Sequence, residues 1–213
     1  MFQKLVTGAA IAGFIAGVSA AVLHLLAVQP LLLLAETFEH AAHGHGGGAA
    51  HAAVGGDWAR NGLTVLFFAL TYVGFALVLG AVMALRPALP SWRQGIVWGL
   101  AGFAAVQLAP AFGLPPAPPG LDPGPLAPRQ VWWFAAVTLT GGGLWLLAFR
   151  RDLWAWSGLA LIALPHLGFA PAPVMAESAM PGGLIALFVA RTLIVGVVGW
   201  AALGALTATL LRR

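Results

Sequence analysis

Four of the six histidines in this chain, His40, His43, His45 and His51, fall in one short stretch, where Glu36 and Glu39 join them. If a helix runs through the start of this stretch, Glu36, His40 and His43 share a face at i, i+4 and i+7. Glu39 and His43 make a second i, i+4 pair. That spacing brings side chains to within about 5–6 Å of one another, close enough to share one ion. Neutral imidazole with carboxylate suits divalent cobalt, nickel, copper or zinc. His45 and His51 lie among glycines that let the chain fold back, so they serve as mobile extra ligands. The chain has no cysteine, so thiolate zinc sites, iron–sulfur clusters and disulfides are excluded. The competing reading of the stretch is a polar loop with adventitious affinity. Spacing alone does not select the metal.

A second candidate is His166, in Leu164-Pro165-His166. Proline removes a backbone donor, loosens the local helix and leaves a carbonyl open to coordination. An ionisable group at membrane depth is a functional candidate by default, with a hydrogen bond to a neighbouring helix as the alternative. His24 reads rather as a packed residue. Gln29 and Gln107 read as polar links between helices, and Arg191 as a cation that snorkels or pairs with Glu177.

The elements that position these groups are apolar. The chain is 61% hydrophobic and only 8% charged, against about 25% charged in soluble domains. Its mean hydropathy is +0.93. Such a chain cannot cover itself in water, so its solvent is lipid. Six apolar segments stand out: Leu5–Leu34, Gly62–Leu85, Gln94–Phe112, Val131–Phe149, Leu153–Phe169 and Gly183–Leu211. A span needs about 20 residues. The fifth segment is short and holds Pro165, so five spans is the competing count. Gly13 and Gly17 form a small-xxx-small pair that admits a close neighbour.

The expected fold is an all-α, polytopic membrane helix bundle of about six spans, a single domain over residues 1–213. With six spans, Lys4, Arg86, Arg93, Arg150, Arg151, Arg212 and Arg213 fall on one side and only Arg60 and Arg129 on the other. The excess of positive residues marks the cytoplasmic face, so both termini are expected there. Three outer loops follow: a His/Gly-rich loop at 35–61, a proline-rich loop at 113–130 and a loop at 170–182. Proline at that density makes an extended cap. Trp58, Trp132 and Trp133 at one boundary, with Trp92, Trp154 and Trp156 at the other, form an interfacial belt.

Several functions are excluded. Ten scattered basic residues make no nucleic-acid surface. There is no P-loop and no nucleophile elbow. Gly141-Gly142-Gly143 lies within a membrane segment and reads as packing or a kink.

Taken together, the residues resemble the CbtA family of cobalt transporter subunits. The resemblance rests on the opening MFQKLVTGAAIAGFIAGV, on Val28-Gln29-Pro30 leading to Ala35-Glu36, and on Trp98-Gly99-Leu100-Ala101-Gly102-Phe103. It continues through Pro110, Gly113-Leu114-Pro115-Pro116 and Arg129-Gln130 with Trp132-Trp133. It ends on Leu164-Pro165-His166 and Ala170-Pro171-Ala172-Pro173. The resemblance implies a multi-pass protein of the bacterial inner membrane for cobalt uptake, linked to cobalamin synthesis. It also implies a small single-span partner of CbtB type with a histidine-rich end. Ala117 stands where members of the family often carry an acidic residue.

The expectation is therefore a transport subunit, not an enzyme. Glu36, Glu39, His40, His43, His45 and His51 capture a divalent ion, and His166 lies on its path. Cobalt is the expected substrate, with nickel and zinc as alternatives, and no organic cofactor is expected. Two other classes stay open: a metal-binding adaptor or sensor that does not translocate, and a membrane enzyme or assembly factor.

Overall fold

The computed structural model describes residues 2–42, 58–121, 124–168, 170–171 and 180–212. The chain forms helices α1 (Phe2–Ala27), α2 (Gln29–Ala42), α3 (Trp58–Ala84) and α4 (Trp92–Phe103). A π turn at Ala104–Leu108 and the short α5 (Ala109–Ala111) continue α4. Then come α6 (Leu126–Phe149), α7 (Trp154–Ala163) with a 3-10 turn at Leu164–His166, and α8 (Gly182–Leu211). Among the described residues there is no strand, as expected for an all-α membrane bundle.

Small residues decide the packing. Lipid gives no hydrophobic drive between helices, so van der Waals contact between closely approaching backbones carries the assembly. Gly13 lies against the backbone of Tyr72 and Val73, and Gly17 against that of Phe68 and Ala69. The Gly13/Gly17 pair thus seats α1 on α3. Ala9, Ala12, Ala16 and Ala20 on α1 are fully buried. On the other side of the bundle, Gly95 and Gly99 of α4 meet Gly204 and the Trp200 carbonyl of α8. Gly143 of α6 meets the Gly158 carbonyl of α7, whereas Gly141 and Gly142 face open space. Only one glycine of the triplet is therefore a packing residue. An aromatic ladder, His24–Phe68–Tyr72–Phe75–Trp200, joins α1, α3 and α8 through the centre.

Two features differ from the expected segments. The first span does not run to Leu34: it ends at Ala27, and α2 begins at Gln29. Pro30 has no N–H for the carbonyl one turn back, and it disfavours α geometry in the residue before it. The break falls there, and helix then resumes as far as Ala42. The second difference is the span count. Among the described residues, five helices are long and apolar enough to cross a membrane: Gln3–Ala27, Trp58–Ala84, Trp92–Ala111, Leu126–Phe149 and Gly182–Leu211. The fifth apolar segment is not. Its ten α residues and three 3-10 residues rise only about 21 Å, against roughly 30 Å of hydrocarbon.

That short segment nonetheless carries the chain from one end of the bundle to the other. Gly158 stands opposite Gly143, and Pro165 opposite Trp132, so α7 is antiparallel to α6. Gly8 faces Leu210, which puts the first turns of α1 beside the last of α8. Both ends of the described chain therefore lie at one end of the bundle. Lys4, Arg86, Arg93, Arg150 and Arg212 gather at that basic end. There Arg86 sits 4.1 Å over the Phe149 ring, and Arg150 pairs with Asp152 at 2.6 Å. The hydrogen bond from Arg150 holds the Asp152 carboxyl below its usual range, so this contact is present at neutral pH and lost as pH falls through the lowered pKa. Arg60 and Arg129 lie at the opposite end, with α2.

Candidate functional site

The helical continuation needed to align the expected ligands is present. Helix α2 carries Glu36, Glu39 and His40, and it is clamped to the first turns of α3. Both carboxylate oxygens of Glu36 accept from Arg60 Nη2 at 3.1 Å, and Gln29 Nε2 donates to Asn61 Oδ1 at 2.8 Å. Glu39 stands against the proline-rich loop: a Cβ on Gly120 would come within 3.4 Å of the Glu39 Cβ. Gly120 has φ +83, a left-handed conformation that glycine adopts without strain, so it turns the loop beneath α2. His43, His45 and His51 lie outside the described residues. Among the described residues no three His, Asp or Glu side chains come together as a metal site.

His166 is placed apart from α2, by the 3-10 turn that follows α7. Its ring meets Phe112 and Trp132 edge-on, each with centroids 6.0 Å away. The Pro165 carbonyl beside it accepts from the buried Trp132 indole at 3.0 Å. The proline loosens the helix as expected, and an indole takes up the neighbouring carbonyl.

The sequence offered Arg191 snorkelling or an acidic partner in Glu177. The structure gives a backbone one: Arg191 Nη1 donates to the Ala27 carbonyl at 3.0 Å. Glu177 lies outside the described residues. Ala27 is the last residue of α1, where unsatisfied carbonyls and the negative end of the helix dipole attract a cation. Arg191 therefore closes the break between α1 and α2, and Val28, Leu31, Phe188 and Val195 bury the same junction. Pro30 was the signal for the break. Its cap, 164 residues away, left no local signal. His24 packs on Phe68 with ring centroids 5.0 Å apart, as expected of a packed residue.

A cavity of about 920 Å³ opens at the α2 end beneath the proline-rich loop. The π turn and the starts of α6 and α8 wall it, with Gln107, Gln130 and Arg129 as its polar side chains. Gln107 packs its amide against Gly196 of α8, and its Oε1 is buried there without a hydrogen-bond partner among the described residues. The π turn was not legible at all: nothing in Ala104–Leu108 but its setting calls for a wider turn.

The family model described as "Probable cobalt transporter subunit (CbtA)" matches residues 2–212. No curated protein and no solved structure matches the chain.

Proposed function

Because the chain belongs to the CbtA family of probable cobalt transporter subunits, we propose that it captures a divalent ion at the α2 end and passes it into the helix bundle. The carrying observation is that helix persists beyond the apolar segment to Ala42, so Glu36, Glu39 and His40 stand on one rigid element at the mouth. His43, His45 and His51 follow directly in sequence and complete the donor set. Arg60 holds the Glu36 carboxylate until a metal competes for it. Both partners are partly exposed, at 40% and 28%, and such a pair is worth only about 0–1 kcal/mol, so the exchange is cheap.

Cobalt is the substrate of this reading, and nickel and zinc are its competitors. The protein acts as a non-enzymatic subunit in the bacterial inner membrane, with both termini cytoplasmic and a small histidine-bearing single-span partner of CbtB type. The gathering of basic residues at the end opposite α2 supports that orientation. An inward membrane potential then drives entry by about 2.3 kcal/mol per charge per 100 mV.

Two outcomes test this. Replacing His40, His43, His45 and His51 together by alanine is expected to lower cobalt accumulation about tenfold or more at limiting external metal, with membrane abundance unchanged, because each lost imidazole removes a first-row metal ligand. Undiminished uptake would remove the capture role, and metal binding without uptake would favour the adaptor. The His166→Ala variant is expected to lower the maximal uptake rate even at saturating cobalt. An effect confined to low metal would take His166 off the path.

A further inference from the structure

The cavity beneath the proline-rich loop does not suit a bare cation. Among its described lining residues there is no carboxylate and no imidazole, and the one charged group among them is Arg129. At about 920 Å³ it falls in the range of small-molecule sites, about 300–1,000 Å³. Arg129 and Gln107 both line this cavity, and the Arg129 Nε is one of five buried side-chain atoms left without a partner among the described residues. Buried polar groups are almost always satisfied in native proteins, and a lone guanidinium N–H in apolar surroundings is especially costly.

The start of α6 adds positive potential. Pro125 precedes it and supplies no side-chain cap, so the N–H groups of Leu126 and Ala127 are not satisfied within the helix. The remaining wall is hydrocarbon, including Leu32, Val189 and Leu193. The pocket thus offers donors and positive charge beside an apolar flank.

We propose that this cavity binds an anionic phospholipid, with the headgroup phosphate on Arg129 and the first turn of α6, and an acyl chain along Leu32, Val189 and Leu193. With one cation in the described wall, a singly charged headgroup such as phosphatidylglycerol is the chemistry of best fit. A guanidinium beside an apolar wall suits a phosphate headgroup, which it meets with charge-assisted hydrogen bonds. This site is separate from metal capture and stands or falls independently of it.

The test is lipid retention by the full chain, purified in detergent from vesicles of mixed phosphatidylglycerol and phosphatidylcholine and read by native mass spectrometry. The unaltered protein is expected to retain phosphatidylglycerol selectively. R129Q is expected to lower that retention about tenfold, as loss of a charge-assisted hydrogen bond implies. R93Q, at the exposed basic end, should retain it fully. V189W keeps the charge but fills the apolar flank, and it is expected to expel the lipid as well, which maintains the test if R129Q does not fold. Equal retention in either R129Q or V189W overturns the proposal. So does complete displacement by inorganic phosphate, which would mark a small-anion site.

Discussion

Replacing Gly99 by leucine is expected to abolish recovery of folded, monodisperse protein, while Gly142→Ala leaves it intact or slightly more stable. The two positions are alike in sequence terms, each a glycine within an apolar helix. A Cβ on Gly99 would collide with the Trp200 carbonyl and stand 3.2 Å from the Gly204 Cα, whereas one on Gly142 would meet nothing within 4 Å. Overpacking a tight site costs about 1–3 kcal/mol per added group that cannot be relieved, and backbone cannot step aside as a side chain can. The α4–α8 contact would have to open along its length, including Gly95 against Gly204 and Ala208. At Gly142, alanine instead gains about 0.5–1 kcal/mol of helix propensity. Size-exclusion profiles and thermal melts in detergent read both. A well-folded Gly99→Leu protein would contradict the close α4–α8 approach.

The second large effect is expected at Arg191. Arg191→Met should lower the melting temperature by about 4–8 °C, from the loss of a charged hydrogen bond worth about 2 kcal/mol in a protein of this size. It should also speed amide exchange from Leu31 to Ala35, since α2 would lose its anchored start. Arg191→Lys should recover part of the loss, because an ammonium also donates to a helix C-terminus. The guanidinium meets a carbonyl at a helix break, 3.0 Å away, in the arrangement by which discontinuous membrane helices hold cations. Here the cation is a tethered side chain. Unchanged melting and exchange in Arg191→Met would show that the break closes without it.

How much of this was legible in the chain depended on how local the cause was. The membrane class, the close α1 approach through Gly13 and Gly17 and the extended proline-rich loop each follow from a few adjacent residues. The continuation of helix through Glu36 to His40 was the condition on which the ligand spacing depended, and the structure supplies it. The break at Val28 was also locally coded, by Pro30, but the hydrophobic run on both sides masked it. The span count turned on length: Leu153–Phe169 reads as one segment, yet Pro165 and Gly168, with φ +91, end its α helix at Ala163. The Arg191 cap and the orphaned pair Arg129 and Gln107 were illegible because they depend on which helix ends meet. The candidate ligands were easy to pick out as residue types. Their assembly was not, since Glu36 is already engaged by Arg60 across the α2–α3 contact.

The π turn at Ala104–Leu108 has an arithmetic consequence. Each such turn advances a helix by one residue more than its pitch requires, which changes the azimuth of everything beyond it. Below the turn, Gly95 and Gly99 aim at α8. Above it, Pro110 and Ala111 border the proline-rich loop and the start of α6. A strictly periodic helix would keep one stripe toward one neighbour along its whole length. The single surplus residue lets α4 address α8 at the basic end and α6 at the other, and the opening between those two neighbours is the volume that this change of phase leaves behind.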